Sequence, residues 1–460
     1  MDTIAAIATG GNPTAIGIVR VSGEKCFDIC GRAFRAANGK SFPEQEARKM
    51  VFGEMLDSQG RTIDQGLAVR FPGPRSYTGE DSAEFHCHGS PVVQRELLSA
   101  LFAAGARQAK AGEFTRRAFL NGRLDLTQAE AVVDLIDAET AAAARNAAAQ
   151  LDGGLRRTLE PIQEALLDVI SRFYAVVDYP DEDIEDIRPE QIAQALRTAG
   201  EKLTALLDTC RRGKVLKSGV RTAIVGRPNV GKSSLLNALV GYERAIVTDI
   251  AGTTRDTVED TAVIRDVLLR LVDTAGIHAT CDAVEQLGVE RSRRAVANAD
   301  LVIAVVDGVT GPTEADQEIL ALASQAPHWI LGASKADLLP PGTGHISKDA
   351  KGARTADAFV MFSSVVPGGL HALEGAISRL FPAGAAAQAG SLLTDQRQEE
   401  AARRARDAVR RAGEALTAGL TPDAVLTDVE EALDALGELT GRSAKEEIVS
   451  RIFSRFCVGK

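Results

Sequence analysis

The chain has 460 residues, which is too long for one hydrophobic core and corresponds to about three domains of ordinary size. With 45% hydrophobic and 25% charged residues it has the composition of a globular protein, and the net charge of -10 argues against nonspecific nucleic-acid binding over the whole surface. No apolar run reaches the roughly 18 residues of a membrane span, and the start "MDTIAAIATGG" lacks the basic region of a secretory signal, so we expect a cytoplasmic protein without membrane contact.

Residues 1–120 combine short apolar runs with Gly/Pro turns. The runs "AIGIVRV" and "GLAVRF" and the turn "FPGPRSYTGED" are typical of an α+β domain. Residues 121–217 show a helical pattern instead, with apolar residues at steps of three and four. The clearest helix face contains Leu155, Leu159, Ile162, Leu166, Ile170 and Phe173.

Residues 218–379 alternate short apolar runs with helical segments, which predicts βα units around a mostly parallel sheet. The runs are "TAIVG", "LLRLVD", "LVIAVVD", "WILGAS" and "AFVMFSS". After the Ala/Gly-rich "PAGAAAQAGS" the helical pattern returns, and it fills residues 380–460. We therefore predict a multi-domain α/β protein in which one helical domain is interrupted by an inserted α/β domain.

The stretch "AIVGRPNVGKSS" contains the pattern GxxxxGKS, Gly226 to Ser233, between a predicted strand and a predicted helix. Backbone N–H groups of such a loop, together with the helix N-terminus, surround phosphate groups. Lys232 is placed to reach the β and γ phosphates, and Ser233 to bind magnesium. The strand-to-helix context makes a chance match a poor explanation, so this is a predicted nucleotide site.

Guanine is predicted as the base because "SKAD", Ser334 to Asp337, directly follows a predicted strand. The carboxylate of Asp337 can accept hydrogen bonds from guanine N1–H and from the 2-amino group, whereas adenine offers neither donor in that position.

Two further motifs lie between the P-loop and "SKAD", namely "TDIAGTTRD" (Thr248 to Asp256) and "DTAGI" (Asp273 to Ile277). Thr254 is placed to join the magnesium shell, and Gly276 to offer an N–H to the γ-phosphate. The four motifs stand in the order of a Ras-like P-loop GTPase. The predicted GTP contacts are Asn229, Val230, Gly231, Lys232, Ser233, Ser234, Thr248, Asp249, Ile250, Ala251, Gly252, Thr253, Thr254, Asp273, Thr274, Ala275, Gly276, Ser334, Lys335, Ala336 and Asp337.

Ile277 follows "DTAG", where small GTPases often carry a glutamine that orients the attacking water. An aliphatic side chain neither donates nor accepts a hydrogen bond. Another group must therefore position the water, and another charge must stabilise the transition state.

The motifs together resemble the MnmE (TrmE) family of tRNA-modification GTPases over essentially the whole chain. The most specific are "GIVRVSG", "RSYTGEDSAEFHCHG", "GEFTRRAFLNGRLDLTQAEAV", "VEQLGVERS" and the final "FCVGK". The resemblance implies hydrolysis of GTP with potassium in place of an arginine finger, between G domains of two subunits. It assigns potassium to Asn229, Thr248, Ile250 and Thr253, and the orientation of water to Glu285. By themselves, Asn229 fits simple loop packing and Glu285 a solvated helix.

The same resemblance implies a homodimer whose N-terminal domain, residues 1–120, binds a 5-formyl-tetrahydrofolate at the dimer interface. With an FAD-binding partner, MnmG, the family builds carboxymethylaminomethyl-type groups on wobble uridines of tRNA. The folate contacts fall on Arg20, Glu80, Arg123 and Lys460. A pterin edge favours a carboxylate and a glutamate tail favours cations, although without the family each residue fits a surface charge.

Cys457, in the final "FCVGK", is the fourth residue from the end of the sequence, but Gly and Lys in the last two places fit no prenylation preference. From the residues alone, docking and chemistry both remain open for this cysteine, and the resemblance assigns it to tRNA modification. Ser334 stands where the family usually has asparagine, which predicts a shorter reach from the guanine loop to the P-loop.

A regulatory GTP switch that binds RNA or ribosomes without modification chemistry is the alternative function. Such a switch requires an RNA-binding appendage, and the sequence has no GXXG with the basic surroundings of a KH module.

Overall fold

The computed structural model describes residues 2–10, 12–178, 189–241, 260–272, 293–340, 355–382, 390–443, 446–454 and 456–459. The chain divides into two compact units. The first unit contains Met1–Val133, Gln150–Ala199 and Arg404–Lys460, and the second contains Asp134–Ala149 and Gly200–Arg403. The domain boundaries at residues 120, 217 and 379 stay predictions.

The strands of the first unit form a seven-stranded sheet. They are β1 (Ile4–Ile7), β2 (Thr14–Ser22), β3 (Phe34–Ala36), β4 (Val51–Leu56), β5 (Thr62–Phe71), β6 (Ser82–Gly89) and β7 (Arg107–Gln108). Their order is β3-β4-β5-β6-β2-β1-β7, and all neighbours are antiparallel except β1 and β7. Because side chains alternate along a strand, β2 places Val19 and Val21 in the core and Arg20 and Ser22 on the opposite face.

The helices follow in chain order through both units. They are α1 (Cys26–Ala33), α2 (Pro91–Ala103), α3 (Glu113–Leu120), α4 (Leu126–Ile136), α5 (Ala141–Leu151), α6 (Gly154–Asp178), α7 (Pro189–Leu207), α8 (Cys210–Ser218), α9 (Lys232–Gly241), α10 (Gln317–Ala323), α11 (His371–Leu380), α12 (Gln396–Thr417), α13 (Pro422–Thr440) and α14 (Glu446–Phe453). Helices α1 and α2 cover one face of the seven-stranded sheet, which confirms the predicted α+β fold.

Helix α6 confirms the helical pattern read from the sequence. Four residues of its predicted face are fully buried, and they are Leu155, Leu159, Ile162 and Leu166. Val169, rather than the predicted Ile170, continues the buried stripe at 3% exposure, and the side chain of Phe173 lies outside the described residues. This face packs against α13 within the first unit.

The second unit contains a six-stranded sheet with strands β8 (Val220–Val225), β9 (Asp260–Ile264), β10 (Val267–Leu271), β11 (Leu301–Asp307), β12 (His328–Ser334) and β13 (Ala358–Met361). Their order is β13-β12-β11-β8-β10-β9, and all neighbours are parallel except β9 and β10. Alternate residues of β11 enter two separate cores, one lined by α9 and α11 and the other by α10. Burial on both faces explains why "LVIAVVD" is an unbroken apolar run, and it confirms the predicted parallel sheet.

Among the described residues, no helix is both long and apolar enough to cross a membrane.

Candidate functional site

The P-loop connects β8 to α9 in the second unit. The strand ends at Val225, and the helix begins at Lys232. Gly226 has φ +155° and Gly231 has φ +99°, and a Cβ on Gly226 would lie 2.4 Å from the carbonyl oxygen of Val305. Glycine at these positions lets the backbone turn closely beside β11 before the helix starts.

The P-loop places polar groups around the N-terminal end of α9. Lys232 Nζ donates to the carbonyl oxygen of Arg227 at 2.6 Å, and burial lowers the pKa of Lys232. Ser233 and Ser234 are exposed in the first turn of the helix, and Asn229 is exposed with φ +63°. An ammonium group and exposed hydroxyls at the N-terminal end of a helix suit a phosphate chain with its magnesium ion.

The guanine loop begins at Ser334, the last residue of β12. Its hydroxyl lies 2.5 Å from the carbonyl oxygen of Val230 in the P-loop and 3.1 Å from that of Val306 in β11. The sequence predicted a shorter reach than asparagine would give, yet the serine hydroxyl still connects the two loops. Because Ser334 is only 2% exposed, water competes little for this bond.

The rest of the guanine loop turns back toward β11. Lys335 has φ +57°, and its Nζ donates to Asp307 Oδ2 at 2.6 Å. This hydrogen bond is the main reason why the pKa of Asp307 is lowered. Asp337 is exposed, so its carboxylate is accessible to a guanine base.

In the first unit, Arg20 lies on the face of β2 opposite to α1 and α2. Its Nε and Nη2 contact Glu84 Oε1 at 2.9 and 2.8 Å. The guanidinium carbon is 5.4 Å from the ring centre of Tyr77 and 5.7 Å from that of Phe114. The ion pair and the two rings together fix the plane of this guanidinium.

Glu80 occupies a polar, mostly buried position between β2 and α3. Its Oε2 accepts a hydrogen bond from Ser22 Oγ at 2.9 Å. Both carboxylate oxygens accept from Arg117 Nη1, at 3.2 and 3.0 Å. The side chains of Glu80 and Arg117 are 13% and 5% exposed, so this carboxylate is held from two sides with little freedom.

Arg123 follows α3 and is exposed. A Cβ on Gly79 would lie 3.3 Å from Arg123 Cγ, so this side chain borders the loop that carries Glu80. Arg20 borders the same loop through Tyr77. Three of the four predicted folate contacts therefore meet around residues 77–80.

The C-terminal tail, described for residues 456–459, lies against the segment just before α3. Phe456 is 6% exposed and joins a core cluster with Leu126 and Phe453. The backbone N–H of Gly112 donates to the carbonyl oxygen of Cys457 at 3.4 Å, and Val458 pairs with Ala111 as an antiparallel bridge. The tail is thus held by its backbone and by one buried ring, while Cys457 stays exposed.

Comparison with known families covers nearly the whole chain. Residues 3–123 match the family described as "GTP-binding protein TrmE N-terminus", and residues 126–457 match the "MnmE helical domain".

The chain belongs to the MnmE family.

Three relatives described as tRNA modification GTPase MnmE are similar over their full lengths. The relative from Roseiflexus castenholzii is 42% identical, that from Roseiflexus sp. 43%, and that from Symbiobacterium thermophilum 42%. Each comparison covers 100% of this chain and 99% of the relative. The resemblance read from the sequence motifs is therefore confirmed.

Several residues singled out from the GTPase motifs or from the MnmE resemblance lie outside the part of the chain that the structure describes. They are Thr248, Asp249, Ile250, Ala251, Gly252, Thr253, Thr254, Asp273, Thr274, Ala275, Gly276, Ile277, Glu285 and Lys460. Their roles stay predictions.

One loop beside the candidate nucleotide site was not predicted from the sequence, namely the loop that follows β13. Ala336 N donates to the carbonyl oxygen of Phe362 at 3.1 Å, so this loop lies beside the guanine loop. Ser363 Oγ accepts from Val365 N at 3.3 Å, and Val365 is 74% exposed. Since parallel strands end at one edge of a sheet, the position of "FSS" directly after a strand was the signal that could have found it.

A second missed feature is the buried carboxylate of Asp316, which is 2% exposed. It accepts hydrogen bonds from Arg227 Nε at 2.6 Å and from the N and Oγ1 of Thr313 at 2.8 and 2.7 Å. Burial opposes ionisation, but these bonds outweigh it and lower the pKa of Asp316. The loop after β11 thereby holds the P-loop arginine, and nothing in the local sequence signals this contact.

Proposed function

We propose that this member of the MnmE family hydrolyses GTP to GDP and, with an FAD-binding MnmG partner, installs a carboxymethylaminomethyl-type group on wobble uridines of certain tRNAs. The observation that carries the proposal is the presence of two separate polar sites in one chain. One is the P-loop with Lys232, and the other is the Arg20–Glu80 region, which α3 connects to the tail that carries Cys457. A regulatory GTP switch needs only the first.

The nucleotide site supports the GTP half of this proposal. The phosphates would lie at the N-terminal end of α9 with Lys232 beside the β and γ groups, and Asp337 would accept from the guanine base. Ser233, together with Thr254, would hold magnesium, which adds positive charge beside the phosphates. The exposed hydroxyl of Ser233 in the first helical turn fits that role.

The proposal includes potassium as the charge that replaces an arginine finger when two G domains meet. Asn229, Thr248, Ile250 and Thr253 would hold the ion, and Glu285 would orient the attacking water. The exposed side chain of Asn229 at the P-loop surface supports this arrangement. GTP turnover should be several-fold faster in potassium than in sodium buffer of equal ionic strength, and equal rates would reject the potassium site.

The second site supports the folate half. Arg20, Arg123 and Lys460 would offer cations to a formyl-tetrahydrofolate, and Glu80 would accept from its pterin edge. The folate supplies the one-carbon unit when it is bound. Glu80 suits this task because it is a carboxylate fixed in orientation by Ser22 Oγ and Arg117.

The proposed assembly is a homodimer that holds folate at the N-terminal interface and associates with MnmG and tRNA. Transfer RNA is modified where it is used, so a cytoplasmic location belongs to the same proposal.

Mass spectrometry of tRNA nucleosides from a deletion strain tests the proposed function directly. The strain should lack the modified wobble uridines, and a plasmid with the wild-type chain should restore them. A Lys232→Ala plasmid should fail, because the substitution removes the cation beside the phosphates. Unchanged wobble uridines in the deletion strain, while the purified protein hydrolyses GTP, would reject tRNA modification and favour the regulatory switch.

A further inference from the structure

Arg117 is a buried arginine on α3 that contacts three acidic residues. Its Nη1 donates to both oxygens of Glu80, and its Nη2 donates to Asp2 Oδ1 at 2.8 Å and to Glu113 Oε1 at 3.0 Å. Burial acts to lower the pKa of Arg117, but bonds to Glu80 and Glu113 outweigh it, so the net shift is upward. A guanidinium that is 5% exposed and bonded on both branches has one available geometry.

Glu80 depends on this geometry because few other groups hold it. Among the described residues, the other side chain that donates to its carboxylate is Ser22, at 2.9 Å. The two donors come from different elements, β2 and α3. Oε2 already accepts from both Ser22 and Arg117, whereas the one described donor to Oε1 is Arg117, so an acceptor site of the carboxylate stays open on Oε1.

We infer that Arg117 is a positioning residue for the folate site and holds the carboxylate of Glu80 in the orientation in which its open acceptor site on Oε1 faces a donor of the pterin edge. This inference rests on the proposed folate function of Glu80. Arg117 acts through Glu80 and does not itself contact the ligand. A donor binds a carboxylate more tightly when the carboxylate is fixed beforehand, because a carboxylate that rotates freely loses rotational freedom on binding.

Arg107 provides a matched control from the same ionic cluster. It contacts Asp2, and its Nη1 and Nη2 donate to Glu113 Oε2 and Oε1 at 2.9 and 2.5 Å. Arg107 therefore shares two of the three acidic partners of Arg117, but no described hydrogen bond joins it to Glu80. A change at Arg107 disturbs the cluster without removing a donor from Glu80.

The experiment is a titration of the full chain with 5-formyl-tetrahydrofolate in which calorimetry measures the heat of binding. Arg117→Lys keeps the charge, but a single ammonium cannot reach Glu80 and Asp2 as the two branches of the guanidinium do. We expect folate affinity to fall about tenfold in Arg117→Lys and to change less than about twofold in Arg107→Lys. Glu80→Gln should weaken folate binding at least as much as Arg117→Lys. The double variant should bind folate no more weakly than Glu80→Gln alone.

A second ligand separates positioning from general damage. p-Aminobenzoylglutamate keeps the tail of a folate and lacks the pterin, so its affinity should be the same in wild type and in Arg117→Lys. If Arg117→Lys does not fold, Ser22→Ala serves in its place. This variant removes the other donor to Glu80, and it should weaken folate binding about threefold without affecting the fragment.

The results that overturn the inference differ from those that overturn the proposed function. Wild-type folate affinity in the folded Arg117→Lys variant, an equal loss in Arg107→Lys, or an equal loss for the fragment would each show that Arg117 does not position Glu80. No folate binding by the wild-type chain, or an unchanged affinity in Glu80→Gln, would reject the folate function itself and the inference with it.

Discussion

Replacement of Asp316 by asparagine tests whether the loop after β11 holds the P-loop in place. The carboxylate is 2% exposed and accepts from Arg227 Nε at 2.6 Å and from two donors of Thr313. Asparagine keeps the volume and one acceptor oxygen. However, it points an NH₂ group toward those donors and removes the negative charge opposite Arg227.

The expected effect follows from the burial of the two partners. Removal of one partner from a fully buried ion pair costs about 3–5 kcal/mol. The side chain of Arg227 is 32% exposed, so water can solvate the freed guanidinium and the loss in the free energy of unfolding should be about 1–2 kcal/mol. Because Lys232 donates to the carbonyl oxygen of Arg227, a displaced Arg227 also moves the ammonium, and GDP affinity should fall about five- to tenfold.

The assay is a titration of the full chain with a fluorescent GDP analogue, paired with urea unfolding. Glu318→Gln is the control, because the ion pair described for Glu318 is an exposed one with Arg293 at 3.4 Å, and such pairs contribute about 0–1 kcal/mol. Wild-type GDP affinity and an unchanged urea midpoint in Asp316→Asn would show that this loop does not hold the P-loop.

Three further predictions concern the first unit. Gly112→Ala places a Cβ 2.5 Å from the carbonyl oxygen of Phe453 at φ +64°. Gly122→Ala is the control, because it has a similar φ of +68° but lies in open space. Gly112→Ala should therefore lower the free energy of unfolding in urea by about 1–2 kcal/mol more than the control, and it should expose the tail to carboxypeptidase. Equal costs in the two variants would contradict the close contact. Burial opposes ionisation of Glu113, but hydrogen bonds from two arginines outweigh it and lower the pKa of Glu113 to about 2. A lowered carboxyl pKa stabilises the fold at pH values above the ordinary pKa of 4.5, by at most about 3 kcal/mol, and this contribution is lost as the pH falls toward 2. The urea midpoint of Glu113→Gln should therefore decline less at acid pH than that of the wild type. Cys457→Ser should abolish tRNA modification and leave GTP turnover intact, and loss of both activities would count against separate sites.

Local sequence was sufficient for most of the fold. A β-strand buried on both faces is an unbroken apolar run, so β11 could be read from "LVIAVVD" alone. The face of α6 from Leu155 to Leu166 followed from the helical period in the same way. The P-loop could also be predicted from the sequence, because the strand, the glycines and the helix start are consecutive in the chain.

The contacts that fix residues within each of the two candidate sites could not be predicted from the local sequence. Glu80 and Arg117 are 37 residues apart, and Arg227 and Asp316 are 89 apart. In the sequence, each of these four residues fits a solvated surface charge. Their pairing depends on the order of the strands in each sheet, which brings the loops at the strand ends together.

The sequence by itself determined the family, the α+β class of the first domain, the mostly parallel sheet of the inserted domain, and the identity of the phosphate loop, because these depend on residues that are close along the chain. Only the tertiary structure decided that Ser334 still reaches the P-loop, that the backbone around Cys457 pairs with the segment before α3, and that Glu80 is fixed by Arg117. Those three facts are distances between atoms on different elements, and such distances arise when burial of the apolar faces fixes the packing of those elements.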